Sequence, residues 1–170
     1  MSKCQKGSYY HLFNRGNNKE KIFFESNDYS YFLRQFKHYL LPSIDVFAYC
    51  LMPNHFHFFV RINEEETFKK GIKNFFISYS KSINKKYHRV GSLFQGRYKL
   101  SEIITESYYT RIVTYIHQNP VLAGLVQSIE DYEYSSYPAY LSNKSSALKK
   151  DDVLEWFGGI RGFIESHKIE

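Results

Sequence analysis

Two histidines, a tyrosine and an asparagine are the residues of this chain best suited to act on a phosphate ester. His55 and His57 sit two apart in the run FAYCLMPNHFHFFVRI at 47–62. On a strand, side chains two apart share a face, with Cα atoms about 6.5–7 Å from each other. Two imidazoles so placed can converge on one metal ion; ordinary histidines at a strand start are the other reading of the same pair. Tyr115 and Asn119 stand at i and i+4 of a later helical stretch, one turn apart. A phenol titrates near 10 (about three units above neutrality), so a tyrosine attacks phosphorus well only when a metal draws charge from the phosphate and the reacting atoms are held in line. Imidazole and carboxamide ligands leave positions on Mg²⁺ or Mn²⁺ for phosphate oxygens and water, and nitrogen donors tilt the preference towards Mn²⁺. The chemistry these groups suit is phosphodiester transfer, in which a phosphotyrosine conserves the bond energy and strands rejoin without ATP. Taken alone, Tyr115 is one of sixteen tyrosines and reads as a partly buried helix residue, with Tyr108 and Tyr109 as its nearest rivals. Asn119 equally suits a helix end before Pro120.

The elements that must position these groups follow from periodicity. Residues 44–51 and 55–62 alternate and meet at Pro53-Asn54, the signature of a β-hairpin. In the second run Phe56, Phe58, Val60 and Ile62 form an apolar face, and His55, His57, Phe59 and Arg61 the opposite one. Ser8 to Asn14 alternates ahead of an Arg15-Gly16-Asn17-Asn18 turn and makes a first strand; its His11 is either a further ligand or a half-buried strand histidine, and the second reading is preferred. A helix capped by Ser26 or Asn27 runs to about Leu40. Phe68, Ile72, Phe75, Phe76, Tyr79 and Ile83 recur at helical spacing as the core stripe of a second helix, and Tyr98 to Thr105 reads as a fourth strand. A third helix begins near Glu106, buries Tyr109, Ile112, Val113 and Ile116, and is expected to end by Asn119, because proline disfavours helical geometry in the residue before it. Two short helical pieces, 151–157 and 160–167, follow a polar linker. The order β-α-β-β-α-β plus a helix predicts an α+β, ferredoxin-like antiparallel sheet whose central strands are the first and third. The histidines then lie mid-sheet, away from the packing helices or under the extra one.

The 170 residues suit one domain, with a catalytic part over 1–126 and an extension over 127–170 packed on it or following it. An aromatic content of 19% excludes a disordered chain. No apolar run approaches a membrane span and the start lacks a signal peptide's apolar stretch. Cys4 and Cys50, without metal-type spacing, suit a reducing cytoplasm and no structural disulfide. Residues 68–99 hold nine of the 23 Lys and Arg residues and none of the 17 Asp and Glu, so a net charge of +6 is concentrated in one stretch. That stretch is either a solvated helix face or a grip on a polyanion.

These blocks, in this order and spacing, resemble the HUH-superfamily single-tyrosine transposases, and among them the REP-associated tyrosine transposases. The resemblance covers roughly 8–140 and rests on YHLFNRGNN, CLMPNHFHFFV, GSLFQGRYK, YIHQNPVLAGLV and YEYSSYPAYL. It implies a metal-dependent single-stranded DNA endonuclease and strand transferase acting at hairpin-associated sites. His55 and His57 match the histidines that bind Mg²⁺ or Mn²⁺ in the family, Tyr115 the nucleophile that forms a 5′-phosphotyrosine, and Asn119 the third ligand four residues later. Many transposases of the wider family carry glutamine at that last position, whereas asparagine looks typical of the REP-associated group. Arg15, Lys69, Lys73, Lys81, Lys85, Lys86, Arg89, Arg97 and Lys99 are the candidate contacts to single-stranded or hairpin DNA, with Gln95 and Arg97 equally able to order their own loop. No organic cofactor is implied, and the family includes monomers and homodimers. Two other readings use the same residues differently. One is a non-catalytic, domesticated module binding structured DNA or RNA, which needs no metal. The other is a metal-dependent phosphohydrolase without a covalent intermediate.

Overall fold

The alternation in 44–62 is realised as a hairpin of Ile44–Met52 (β2) and His55–Ile62 (β3) in a computed structural model that describes residues 3–169. Around it lie Tyr9–Arg15 (β1), Ser26–Leu40 (α1), Glu65–Lys86 (α2), Lys99–Ile103 (β4) and Glu106–Leu122 (α3). The strands pair antiparallel in the order β2-β3-β1-β4, so the first and third strands are central, as the ferredoxin-like reading requires. Each face of this sheet has its own core. On one, Tyr10 and Leu12 of β1 and Phe56, Phe58, Val60 and Ile62 of β3 are buried under α1 and α2, which contribute Phe32, Phe36, Phe68, Ile72, Phe75 and Tyr79. Phe36 stacks on Phe58 with centroids 3.9 Å apart. Burial of a phenylalanine stabilises by about 1.5–3 kcal/mol, so these rings contribute heavily to the stability of the α1/α2 face.

On the other face, Phe47, Cys50 and Phe59 are buried beneath Tyr109, Val113 and Ile116 of α3. Three short helices complete that layer: Tyr137–Tyr140 (α4), Lys150–Trp156 (α5) and Ile160–Ser166 (α6), bringing Tyr137, Tyr140, Val153 and Phe163 into the same core. The extension therefore packs on the face that holds α3. Both cysteines are buried and free. No helix among the described residues is long and apolar enough to cross a membrane.

Three local expectations are corrected. The cap of α1 is Glu25 rather than Ser26 or Asn27. Glu25 and Asp28 form a reciprocal capping box, and Asp28 accepts the Phe24 and Glu25 N–H groups at 2.8 and 3.1 Å. The third helix does not stop at Asn119; it continues through Pro120 to Leu122. Proline forfeits only its own N–H, and the Ala123 N–H bond to the Asn119 carbonyl, with burial of Pro120, carries the last turn onward. The first and fourth strands span 9–15 and 99–103, shifted or shortened at ends where pairing partners run out.

A buried chain of hydrogen bonds ties α6 to α3. The Tyr49 N–H donates to Ser136 Oγ, which lies 2.6 Å from His117 Nε2; His117 Nδ1 lies 2.8 Å from His167 Nε2, and His167 Nδ1 donates to the Phe163 carbonyl. With both imidazoles neutral every atom in the chain is satisfied, which is the condition for placing polar groups in a core. Burial holds His167 down at about 4 and His117 well below its ordinary value. An unfolded histidine titrates near 6.5, so below that pH the unfolded chain takes up protons that the folded chain refuses. Stability is thus full above about pH 6.5 and falls as the pH drops towards 4. Urea unfolding at pH 5 should show about 2 kcal/mol less stability than at pH 7 from His167 alone; identical midpoints would contradict the neutral chain.

Candidate active site

The strand register explains where the polar residues of the α3 face meet. Tyr9, His11, Phe13 and Arg15 alternate along β1, and Phe13 pairs with His57 while Arg15 pairs with His55. His11 is therefore a diagonal neighbour of His57, a separation that long side chains cross. It does so: His11 Nε2 lies 2.8 Å from His57 Nδ1. His55 Nδ1 is 2.7 Å from the side-chain oxygen of Asn54, the residue before it. Both β3 histidines thus have Nδ1 engaged and can present Nε2 elsewhere, as metal-ligating histidines do when an outer partner fixes their tautomer. Burial pushes His57 down to about 3 and His11 to about 4, with the nearby His11 and His55 adding to the effect at His57, and burial lowers His55 as well. All three are neutral at physiological pH, the form in which imidazole offers a lone pair.

The apolar end of the same face fixes α3 over this triad. Tyr9 packs against Phe47, Phe59, Tyr109 and Trp156. Tyr109, Val113 and Ile116 point down, so Tyr115, just off that stripe, emerges at the helix edge with 45% of its surface exposed. Its ring meets His57 edge-on with centroids 5.6 Å apart, and His11 at 6.3 Å. Tyr115, His55 and His57 line one open cleft of about 590 Å³, with Arg15, Lys19 and Lys99 as its cations. Tyr108 lies on the exposed surface away from this cleft and Tyr109 is buried. Asn119 is one turn beyond Tyr115, its amide nitrogen donating to the Tyr115 carbonyl at 3.2 Å, and it does not line the cleft. Among the described residues no three or more His, Cys, Asp or Glu side chains are grouped to hold a metal. The donors that line the cleft are the two imidazoles of His55 and His57, a pair whose chemistry suits a divalent ion with its remaining positions open.

The basic residues separate by role. Arg15 reaches Gln95 at 2.8 Å across the cleft mouth, and Lys99 sits beside Phe13 in register. Lys69, Lys73 and Arg97 border a second cavity next to the cleft. Lys81 and Lys85 are exposed on α2. Lys86 and Arg89 are occupied: Lys86 pairs with Asp28 at 2.8 Å and Glu25 at 2.5 Å, and Arg89 bonds Asn84 and Glu20. Lys86 thus ties the end of α2 to the start of α1, and Arg89 ties Asn84 of α2 to Glu20, ahead of α1. Lys19, Asn54 and the outer role of His11 are additions that the sequence reading did not assign; the PNH run placed Asn54 next to His55, but His11 reaches His57 only through a register that sequence alone does not set.

Three comparisons with known proteins bear on this arrangement. Residues 4–119 match the family model described as IS200-like transposase. Among solved structures, a REP-associated tyrosine transposase bound to a REP hairpin superposes with a TM-score of 0.62 over 84% of this chain and 87% of that one, at 17% identity, a likeness of fold. No curated protein sequence matches the chain.

The sorting of cations is testable by stability alone. Asp28, 2% exposed, receives two backbone N–H groups, Lys86 and the Tyr87 hydroxyl. Asp28→Ala should cost about 3 kcal/mol in urea unfolding, and Lys86→Ala should lower the midpoint too, by stranding that carboxylate. Lys73→Ala and Lys81→Ala should leave the midpoint unchanged; a loss from these as large as from Lys86→Ala would contradict the division.

Proposed function

From the match over 4–119 the chain belongs to the IS200-like, single-tyrosine family of HUH transposases, and from that premise we propose that it cuts and rejoins single-stranded DNA at hairpin-associated sites through Tyr115. Cleavage and transfer of DNA strands is what a transposase does; the nucleophile, the metal and the hairpin are the parts proposed. The observation that carries them is the placement of Tyr115 over His57, with His55 alongside, in an open cleft bordered by cations. The hairpin comes from the structural neighbour, which was solved with one bound.

His55 and His57 would hold the divalent ion, Mg²⁺ or Mn²⁺, through Nε2, with the Asn119 carboxamide as a third donor after it turns from its own helix. When bound, that ion supplies charge withdrawal from the scissile phosphate and orientation of its oxygens. His11 and Asn54 keep the two rings in the tautomer that offers Nε2. Arg15, Lys19 and Lys99 seat the flanking phosphates, an electrostatic contribution that weakens with salt. The Tyr115 oxygen then attacks phosphorus and its proton passes to water. A bond from phosphorus to the phenolic oxygen forms, the bond to the 3′ oxygen breaks, and that oxygen takes a proton from water to leave as a 3′ hydroxyl. The 5′ end stays on Tyr115 until another 3′ hydroxyl displaces it, which reverses the same bond changes and needs no ATP. Placement of Tyr115 at an exposed helix edge leaves its oxygen accessible to a strand, whereas the other face of α3 is committed to the core.

The test uses strands from both flanks of the protein's own gene with Mn²⁺. Tyr115→Phe should reduce nicking by about 10³-fold or more while strand affinity changes less than about twofold. Unchanged nicking would remove Tyr115 as nucleophile. Tight binding without nicking by the natural protein would favour the non-catalytic module, and nicking without covalent product the phosphohydrolase. For the metal, calorimetric titration of Mn²⁺ should show about tenfold weaker binding to His11→Leu and none to His57→Ala, with Tyr115→Phe unaffected. Equal affinity in all four proteins would contradict the histidine site.

A further inference from the structure

We propose that the cavity beside the cleft is a pocket for an unpaired base of the strand being cut, and that it contributes to choice of cleavage site. This inference rests on the DNA reading above and extends it to a part of the molecule that the cutting chemistry does not use. The cavity is the larger of the two, about 650 Å³, ample for a single nucleotide. It lies between α2 and the 92–98 loop. Its walls are Phe76 and Tyr98, whose rings are parallel within 4° at 5.9 Å, and Phe94, edge-on to Phe76 at 4.9 Å. Phe76 was expected in the core stripe of α2; it is half-buried and turns its remaining surface to this space. Ser80 and Ser92 bring hydroxyls to the walls.

Two features make a nucleotide the fitting occupant. First, the rim is cationic: Lys69 and Lys73 one turn apart on α2, and Arg97 on the loop. Lys69 is shared with Glu66 at 3.3 Å, while Lys73 and Arg97 make no ion pair among the described residues. An aromatic wall with a basic rim is how proteins hold single-stranded nucleic acid, stacking the base and neutralising its phosphate. Second, the pocket is continuous with the cleft. Asn14 lines both, and its side chain is fixed between them, accepting the Arg15 N–H at 2.9 Å and donating to the Gly96 carbonyl at 3.3 Å. Gln95 faces the cleft and Arg97 the pocket, so the same loop borders both. A strand whose scissile phosphate lies at Tyr115 can pass over Asn14 and Gly96 and place a neighbouring base against Phe76 and Tyr98. Gly96 has φ +69°, and nothing lies within 4 Å of where a side chain would start; glycine gives the loop its turn and leaves this crossing clear.

Photocrosslinking with the full chain tests the pocket. The Tyr115→Phe protein is irradiated at low salt with single strands from both gene flanks, each carrying 5-iododeoxyuridine at one unpaired position, and attached peptides are mapped by mass spectrometry. We expect one strand position to attach to Tyr98 or Phe76. Replacing that nucleotide by an abasic one should weaken binding about five- to hundredfold, and this loss should vanish in Ser80→Trp, whose indole would fill the pocket. Because Ser80→Trp has to fold for that comparison, Lys73→Glu, at an exposed position, serves as a second variant and should diminish the crosslink. Strands that are bound, and nicked by the natural protein, yet attach only elsewhere would overturn the pocket and leave the proposed function standing. Failure of every strand to bind or be nicked would overturn both.

Discussion

The arrangement depends on how one face of the sheet is shared between grease and chemistry. At one end Tyr9, Phe47 and Phe59 are covered by Tyr109, Val113, Ile116 and Trp156. At the other end of the same strands, Phe13, Arg15, His55 and His57 are left to a cleft, with His11 behind His57. Anchoring the apolar stripe of α3 at the first end determines which of its residues turn towards the second. Tyr115 lies within that anchored span, between Val113 and Ile116, and its hydroxyl makes no hydrogen bond among the described residues. The proposed nucleophile can therefore be oriented while its oxygen stays free, a combination that a strand or loop position would not offer as readily.

The histidines owe their state to the same division. Inserted between two cores, they are buried enough to remain neutral, and each β3 ring has a partner on Nδ1: Asn54 from the hairpin turn for His55, and His11 from the neighbouring strand for His57. The buried His117–His167 pair serves a different purpose, fastening α6 to α3 two residues beyond Tyr115. Gln118 adds a bond to the His167 carbonyl, so the extension, which packs on the same sheet face, holds α3 from beside it. The extension thus bears on the placement of Tyr115 without entering the cleft.

Much of this was legible in the residues because period-2 and period-3.6 patterns map directly onto faces. The HFH face, the opposing Phe56-to-Ile62 face, the central position of the two strands and the Tyr115–Asn119 spacing all follow from such counting. What counting misses is pairing between distant segments. His11 reads locally as a half-buried strand histidine, because nothing local says which residue of β3 it will neighbour. Lys86 and Arg89 looked like free members of a basic stretch because their acidic partners, Glu25, Asp28 and Glu20, lie some 60 residues earlier. Pro120 looked like a stop because a local rule about the preceding residue was outweighed by burial of the proline and by capping further on. Phe76 fitted the helical stripe, yet lies at its margin, where the stripe runs out over a cavity.

The central claim is that Tyr115 becomes covalently joined to the 5′ end of a cut strand. The most direct measurement is mass spectrometry of the protein after incubation with a flanking single strand and Mn²⁺, followed by nuclease trimming and proteolysis. The account predicts a nucleotide adduct on the peptide containing Tyr115, localised to that residue by fragmentation and absent without divalent metal. An adduct on Tyr108 or Tyr109 instead, or strand cutting with no adduct on any tyrosine, would contradict it.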